Sequence, residues 1–200
     1  MFVPAGTLEY MGAWLFMALL FIPMFVVGAA LFFKAPGLLE KRLDSKEKQG
    51  AQKRVVGMAA FTFIKGFIVA GLDYRFEISR VPFPIVITAS VLLLVSYGLY
   101  AEVMRENAYL SRTVKVHEGQ KVVDTGLYGI IRHPMYGATV IMFLSIPVVL
   151  GSWWSFICFL PYVVIIAHRI SNEEKVLEAE LDGYVEYKQK VKYKLIPFIW

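Results

Sequence analysis

Residues 134–167 read PMYGATVIMFLSIPVVLGSWWSFICFLPYVVIIA, 34 positions without a charged side chain and with a Gly151-Ser152 break in the middle. An α-helix rises about 1.5 Å per residue, so each half approaches the length needed to cross a hydrocarbon core of roughly 30 Å. Two residues cannot carry the chain far, so the halves form a hairpin whose Pro134 and Ala167 ends return to one membrane face. The whole chain agrees with this reading. Of its 200 residues 58% are hydrophobic and only 18% are charged, and mean hydropathy is +0.57. A soluble domain carries about 25% charge, which excludes an ordinary water-soluble globule.

Three more apolar blocks precede the hairpin, at about Met11–Phe33, Val55–Leu72 and Ile85–Met104. The first contains Pro23, a kink site that neighbouring helices can tolerate in a membrane. No basic residue stands before it, unlike the start of a secretory signal peptide. With the hairpin halves, Pro134–Leu150 and Trp153–Ala167, the expectation is an all-α polytopic membrane protein of five transmembrane helices and a cytoplasmic C-terminal helix. Basic residues mark the cytoplasmic side. Seven lie in Lys34–Arg54 and five in Arg105–Arg132, against none before Met11, two in Asp73–Arg80 and none at Gly151-Ser152. This places the N-terminus outside and the C-terminus in the cytoplasm. The net charge of +5 then reflects topology and attraction to anionic headgroups. No nucleic-acid partner is expected, because no soluble basic face is large enough. The chain divides into residues 1–104, three transmembrane helices with the cytoplasmic loop 34–54, and residues 105–200, where the chemistry should lie.

Two polar motifs flank the hairpin. Before it stand Arg132, His133, Pro134, Met135 and Tyr136. Proline suits a first helical turn, and the N–H groups and dipole of that turn can hold an anion such as a cofactor carboxylate. The same residue types also suit plain interfacial anchoring. After it stand Arg169 and Glu173, four apart and so on one helix face, followed by Glu174. They read either as a surface ion pair or as a pair of ligands, with Arg169 addressing an anionic substrate and Glu173 binding hydroxyl or ammonium groups. The hairpin brings the two motifs together in space. Cys158 is the single cysteine, so no internal disulfide is available, and His117, His133 and His168 lack metal-ligand spacing. Lys65 interrupts the second block with no acid in the neighbouring spans to meet it.

The pattern Gly126-x-Tyr128-x-x-x-Arg132-His133-Pro134-x-Tyr136, a hydrophobic hairpin and then Arg169-x-x-x-Glu173-Glu174 resembles the isoprenylcysteine carboxyl methyltransferase family and the related membrane phospholipid methyltransferases. Tyr184-Val185-Glu186-Tyr187 and Leu195-Ile196-Pro197 resemble that family's tail, so the likeness runs from about Asn107 to the C-terminus. The resemblance implies S-adenosylmethionine as cofactor, bound from the cytosol. It implies cofactor contacts at Gln120, Lys121, Val122, Val123, Tyr128, His133, Pro134, Met135, Tyr136 and Glu173, and a polar contact slightly upstream at His117. Gln120 stands where the family usually has histidine, and Lys194 where arginine is common. Arg169 falls on the substrate-binding arginine; with Arg132 it is the expected catalytic pair.

The implied reaction is displacement at a sulfonium methyl, with a lipid-like or small amphiphilic acceptor (a prenylcysteine-like carboxylate, a lipid or a thiol) entering from the bilayer. Tyr128 or Tyr136 would favour the sulfonium through its ring face. Glu174 is the nearest candidate for a base, and the lack of an obvious one favours an acceptor that is already anionic. Two other readings compete. A sterol-type membrane reductase carries a related Arg-His-Pro-like element and binds NADPH, but a 2′-phosphate calls for more arginines than Arg132 and Arg169. A non-catalytic membrane scaffold would keep the hairpin without a cofactor.

Overall fold

The computed structural model describes residues 1–34, 36–37, 39, 50–110 and 116–200. Most of the basic loop 34–54 therefore lies outside the described residues. Among those described there is no strand, and the helices are α1 Phe2–Ala5, α2 Met11–Lys34, α3 Gly50–Phe76, α4 Phe83–Glu106, α5 Pro134–Val149, α6 Trp153–Phe159, α7 Pro161–Glu180 and α8 Tyr184–Lys190, with a 3-10 turn at Gly126–Gly129. Four helical stretches are long and apolar enough to cross a membrane: Met11–Lys34, Val56–Phe76, Phe83–Glu106 and Trp153–Glu180. The expected count of five is not reached, because Pro134–Val149 has only 16 residues. At 1.5 Å each that is about 24 Å, short of a full hydrocarbon core.

Prolines set several boundaries. Pro134 and Pro161 open α5 and α7, where the missing N–H costs nothing. Pro161 also splits the expected fifth span into α6 and α7, and α7 then continues past Ala167 to Glu180. Pro23, by contrast, lies within one continuous helical run. Ser152 caps α6, its Oγ accepting from the Ser155 N–H at 3.0 Å.

The broadest packing is α4 against α5, and α3 packs on both α6 and α7. Its centre is aromatic: the Phe63 ring meets Phe143 at 4.6 Å and Phe159 at 5.2 Å, both edge-on. Gly66 makes the close approach of α3 to α6 possible. A Cβ there would lie 2.2 Å from the Phe159 ring, and Ser155 Oγ donates to the Gly66 carbonyl at 2.9 Å.

The end of the bundle away from the polar motifs is locked by a buried acid. Asp73, 1% exposed, accepts from Ser79 N–H at 2.7 Å, from Ser79 Oγ at 2.6 Å and from Ser152 Oγ. Three donors satisfy a carboxylate that burial alone would make costly. Beside it, Tyr10 Oη donates to the Leu150 carbonyl at 2.5 Å, and its ring stacks on Tyr74 at 4.2 Å. The α3–α4 connection, the α5–α6 turn and the N-terminal segment thus meet in one knot.

Gly66→Ala should lower stability by about 1–3 kcal/mol, because Phe159 is fully buried and has no free space to move into. A thermal melt of the detergent-solubilised chain checks this; an unchanged midpoint would refute the tight α3–α6 contact.

Candidate active site

The polar motifs meet at the other end, around the start of α5 and the middle of α7. The C-terminal tail runs back against α5: Arg132 N–H donates to the Tyr193 carbonyl and His133 N–H to that of Lys194, both at 2.9 Å. These two donors, just outside the first turn of α5, are thus occupied by the protein itself.

Glu174 ties this corner together. Buried at 4% exposure, it receives Arg132 Nε at 2.8 Å and lies 3.2 Å from His133 Nε2 through the same oxygen, while Lys194 Nζ stands 3.1 Å from the other. Beside an acceptor-only carboxylate, His133 Nε2 carries a proton. Arg132 also donates through Nη1 to the Val191 and Lys192 carbonyls at 2.7 and 2.8 Å. Arg132 thus has its Nε and Nη1 donors engaged within the protein while it lines the cleft. Glu174, with both oxygens held by cations, does not fit a general base.

A second triad sits one helical position away. Tyr136 Oη donates to Glu173 at 2.5 Å and accepts from Arg169 Nε at 2.8 Å, and the Arg169 guanidinium lies 5.9 Å from the centre of the Tyr136 ring. The tyrosine hydroxyl thus stands between the two charged side chains that sequence spacing places on one face of α7.

A solvent-open cleft lies beside these groups. Of the expected cofactor contacts, Gln120, Lys121, Val122, Val123, Tyr128, His133, Met135, Tyr136 and Glu173 all line it, as does Arg132. Pro134 is buried as the first residue of α5, and His117 lies outside the wall; its backbone N–H instead donates to Gln120 Oε1 at 2.9 Å. The wall also holds residues that motif reading missed, among them Asn107, Tyr109, Leu177, Leu181, Tyr184 and Tyr187. The four-residue spacing of Leu177, in the last turns of α7, and Leu181, the residue that ends it, was the available signal for two of them; the others come together only through tertiary packing.

Local hydrogen bonds fix the cleft's rim. Asn107 Nδ2 donates to Tyr128 Oη at 3.0 Å, and Tyr187 Oη donates to the Tyr128 carbonyl at 2.7 Å. Glu106 accepts from Leu127 N–H at 3.0 Å and occupies the space over Gly126, where a Cβ would lie 1.4 Å from its carboxylate oxygen. Gly126 also has φ +51, so glycine fits there on both counts.

Tyr184 is the exception in this well-paired wall. Its hydroxyl is buried and has no hydrogen-bond partner among the described residues. Burial, followed by the Glu174 and Glu173 carboxylates, pushes its phenol far above the ordinary range, so it stays protonated. Such a group needs a partner from outside the protein. The lining as a whole suits S-adenosylmethionine: a carboxylate at Glu173 for ammonium or hydroxyl groups, aromatic faces for a sulfonium, aliphatic surface for a purine and an unpartnered hydroxyl.

A second, apolar cleft of about 1000 Å³ opens between α3, α5 and α7. Phe63, Thr139, Phe143, Tyr162 and Ile166 are in its wall, and so is Arg169. Met135 and Tyr136 line both clefts and form the partition between them.

A family model described as phospholipid methyltransferase matches residues 84–181. A Δ(14)-sterol reductase from Mus musculus is 28% identical over 91 residues, 44% of this chain and 22% of that protein. The chain spans about a fifth of the length of this curated relative.

Replacing Arg132 with Met should cost about 3–5 kcal/mol, the usual result of removing one partner from a buried charge pair. It should also free the tail. Faster tryptic cleavage at Lys190, Lys192 and Lys194 reports the second effect, and a cleavage rate equal to wild type would refute the strap.

Proposed function

We propose that this chain, whose residues 84–181 belong to the phospholipid methyltransferase family, is an integral membrane methyltransferase that uses S-adenosylmethionine on an amphiphilic acceptor. The observation that carries this reading is the shared partition: a polar cleft and an apolar cleft back to back, separated by Met135 and Tyr136. One suits a water-soluble methyl donor. The other suits an acyl or prenyl chain arriving from the bilayer.

When bound, S-adenosylmethionine supplies a methyl group on a positively charged sulfur leaving group. Glu173 would hold the donor's ammonium or hydroxyl groups, Tyr184 Oη would hydrogen-bond it, and Leu177, Leu181, Val122 and Val123 would cover its apolar surface. The Tyr136 and Tyr128 rings favour the cationic sulfur. Arg169 holds the acceptor's anionic group at the partition, with its own orientation fixed by the Tyr136 hydroxyl. Glu173, Tyr184 and Arg169 would together hold a methyl donor and an anionic acceptor in line with each other. Alignment of this kind can contribute about 7–11 kcal/mol. Glu174 is held by Arg132, Lys194 and His133, and no base is needed for an acceptor that arrives as a carboxylate or thiolate. A prenylcysteine-like carboxylate fits best, with lipid and thiol acceptors as the broader class.

The likeness to a sterol reductase supports a second reading, NADPH binding in the polar cleft. The cleft's charges weigh against it. Glu173 lies in the wall, and Arg132 is already paired, which leaves Lys121 as the lysine or arginine of the wall to meet a 2′-phosphate.

Calorimetric titration of the purified chain separates the readings. S-adenosylmethionine should bind and NADPH should not; the reverse result would overturn the proposal. Glu173→Ala should abolish measurable cofactor binding, whereas Arg169→Ala should bind cofactor normally and lose transfer. Equal loss of binding in both variants would show that the roles are wrongly divided.

Tyr184→Phe provides a sharper check. It should weaken S-adenosylmethionine binding by about 3- to 10-fold, the contribution of one hydrogen bond, with an unchanged thermal midpoint in the ligand-free chain. Unaltered affinity would remove Tyr184 from the site.

A further inference from the structure

A third concavity, of about 1580 Å³, lies on the outer side of α3 where it faces α6 and α7. Its walls are apolar through Met58, Phe61, Leu160 and Val164. Three of its other residues, Lys65, Thr62 and His168, carry polar groups. Lys65 is exposed on this lipid-facing surface and has no ion-pair or hydrogen-bond partner among the described residues. It stands nine residues beyond Val56 in the span Val56–Phe76, about 14 Å from that end and near the middle of a hydrocarbon core.

An ammonium at that depth is costly unless it is paired or reaches toward the interface. Helical side chains lean toward the helix N-terminus, so Lys65 extends toward the Val56 end of α3. Thr62 does not answer the charge, since its hydroxyl already donates to the Met58 carbonyl at 2.9 Å. His168 offers a second potential cation rather than an anion. Among the described residues nothing supplies this groove with negative charge.

A second copy of the chain cannot supply it. Met11–Phe33, α5, α6 and residues 161–167 contain no acid. Asp73 is buried under its serine donors. Glu102 is bonded twice to Arg105, and Glu106 receives Leu127 N–H; both lie in the last turns of α4, away from mid-depth. The bilayer is the source that remains. We propose that this groove is a binding site for a membrane glycerophospholipid with a net-negative headgroup, its acyl chain lying along α3 against α6 and α7 and its phosphate drawn inward to Lys65, with His168 beside it. The site lies outside the methyl-transfer clefts and does not depend on their assignment.

Cys158, the only cysteine of the chain, lines the same groove and reports its occupancy. The full chain is placed in nanodiscs of phosphatidylglycerol or of phosphatidylcholine with identical acyl chains, and alkylation of Cys158 by N-ethylmaleimide is followed by mass spectrometry. Phosphatidylglycerol should slow alkylation by about fivefold or more, the effect of one lysine–headgroup attraction. Lys65→Arg should preserve that ratio, and Lys65→Gln should bring the two lipids within about twofold of each other. Equal wild-type rates in the two lipids would overturn the proposal, whether or not either variant folds. So would a ratio that Lys65→Gln leaves intact. Protection that follows the protein-to-lipid ratio and ignores the headgroup would instead place a second copy in the groove and reject the lipid.

Discussion

The Glu174 carboxylate determines the shape of the catalytic end. It is buried, and it survives there only because Arg132, His133 and Lys194 converge on it. Those three residues come from the start of α5 and from the tail, while the acid comes from α7. One interaction therefore brings three separate pieces of chain to a common point and presses the tail across the mouth of the hairpin. Removing any cation leaves charge uncompensated in a low-dielectric corner, a far larger penalty than losing a surface pair. The cleft wall follows from this, because Glu173 is fixed when its neighbour is fixed.

Adjacent acids thus have opposite circumstances. Glu174 points into a cationic corner, whereas Glu173, one residue earlier, is half-buried against Tyr136 and borders the cleft. Sequence spacing could align Arg169 with Glu173 but could not reveal that a tyrosine hydroxyl from another helix stands between them. The i,i+4 relation is a local property. The bridging group depends on how α5 crosses α7.

The same distinction explains what was legible elsewhere. Apolar length identified the membrane helices and the hairpin, and the Arg-His-Pro-x-Tyr motif located the cleft, since both are encoded in consecutive residues. The split at Pro161 was written in the sequence too, but a proline within an apolar run is equally compatible with an unbroken helix, as Pro23 demonstrates. Tyr184 and the tail strap were out of reach for a different reason. The strap's partners lie between 20 residues away, for Lys194 and Glu174, and 60, for Lys192 and Arg132, and tyrosine and lysine carry no periodic signal of such placements. Arg132 illustrates the limit best: its position at the site was legible, but its donors are directed at backbone carbonyls that no motif encodes.

The Asp73 knot at the far end has a mechanical meaning. It joins the α3–α4 connection to the α5–α6 turn through a carboxylate with every serine donor in place, while the two large clefts between α3 and α7 lie toward the opposite end. A bundle fastened at one end and hollow at the other behaves as a pair of tweezers. Any separation of α3 from α7 would have its fulcrum at the serines and be widest near Arg169. A long-chain molecule diffusing in the bilayer would meet a seam that parts at its tip and stays shut at its root.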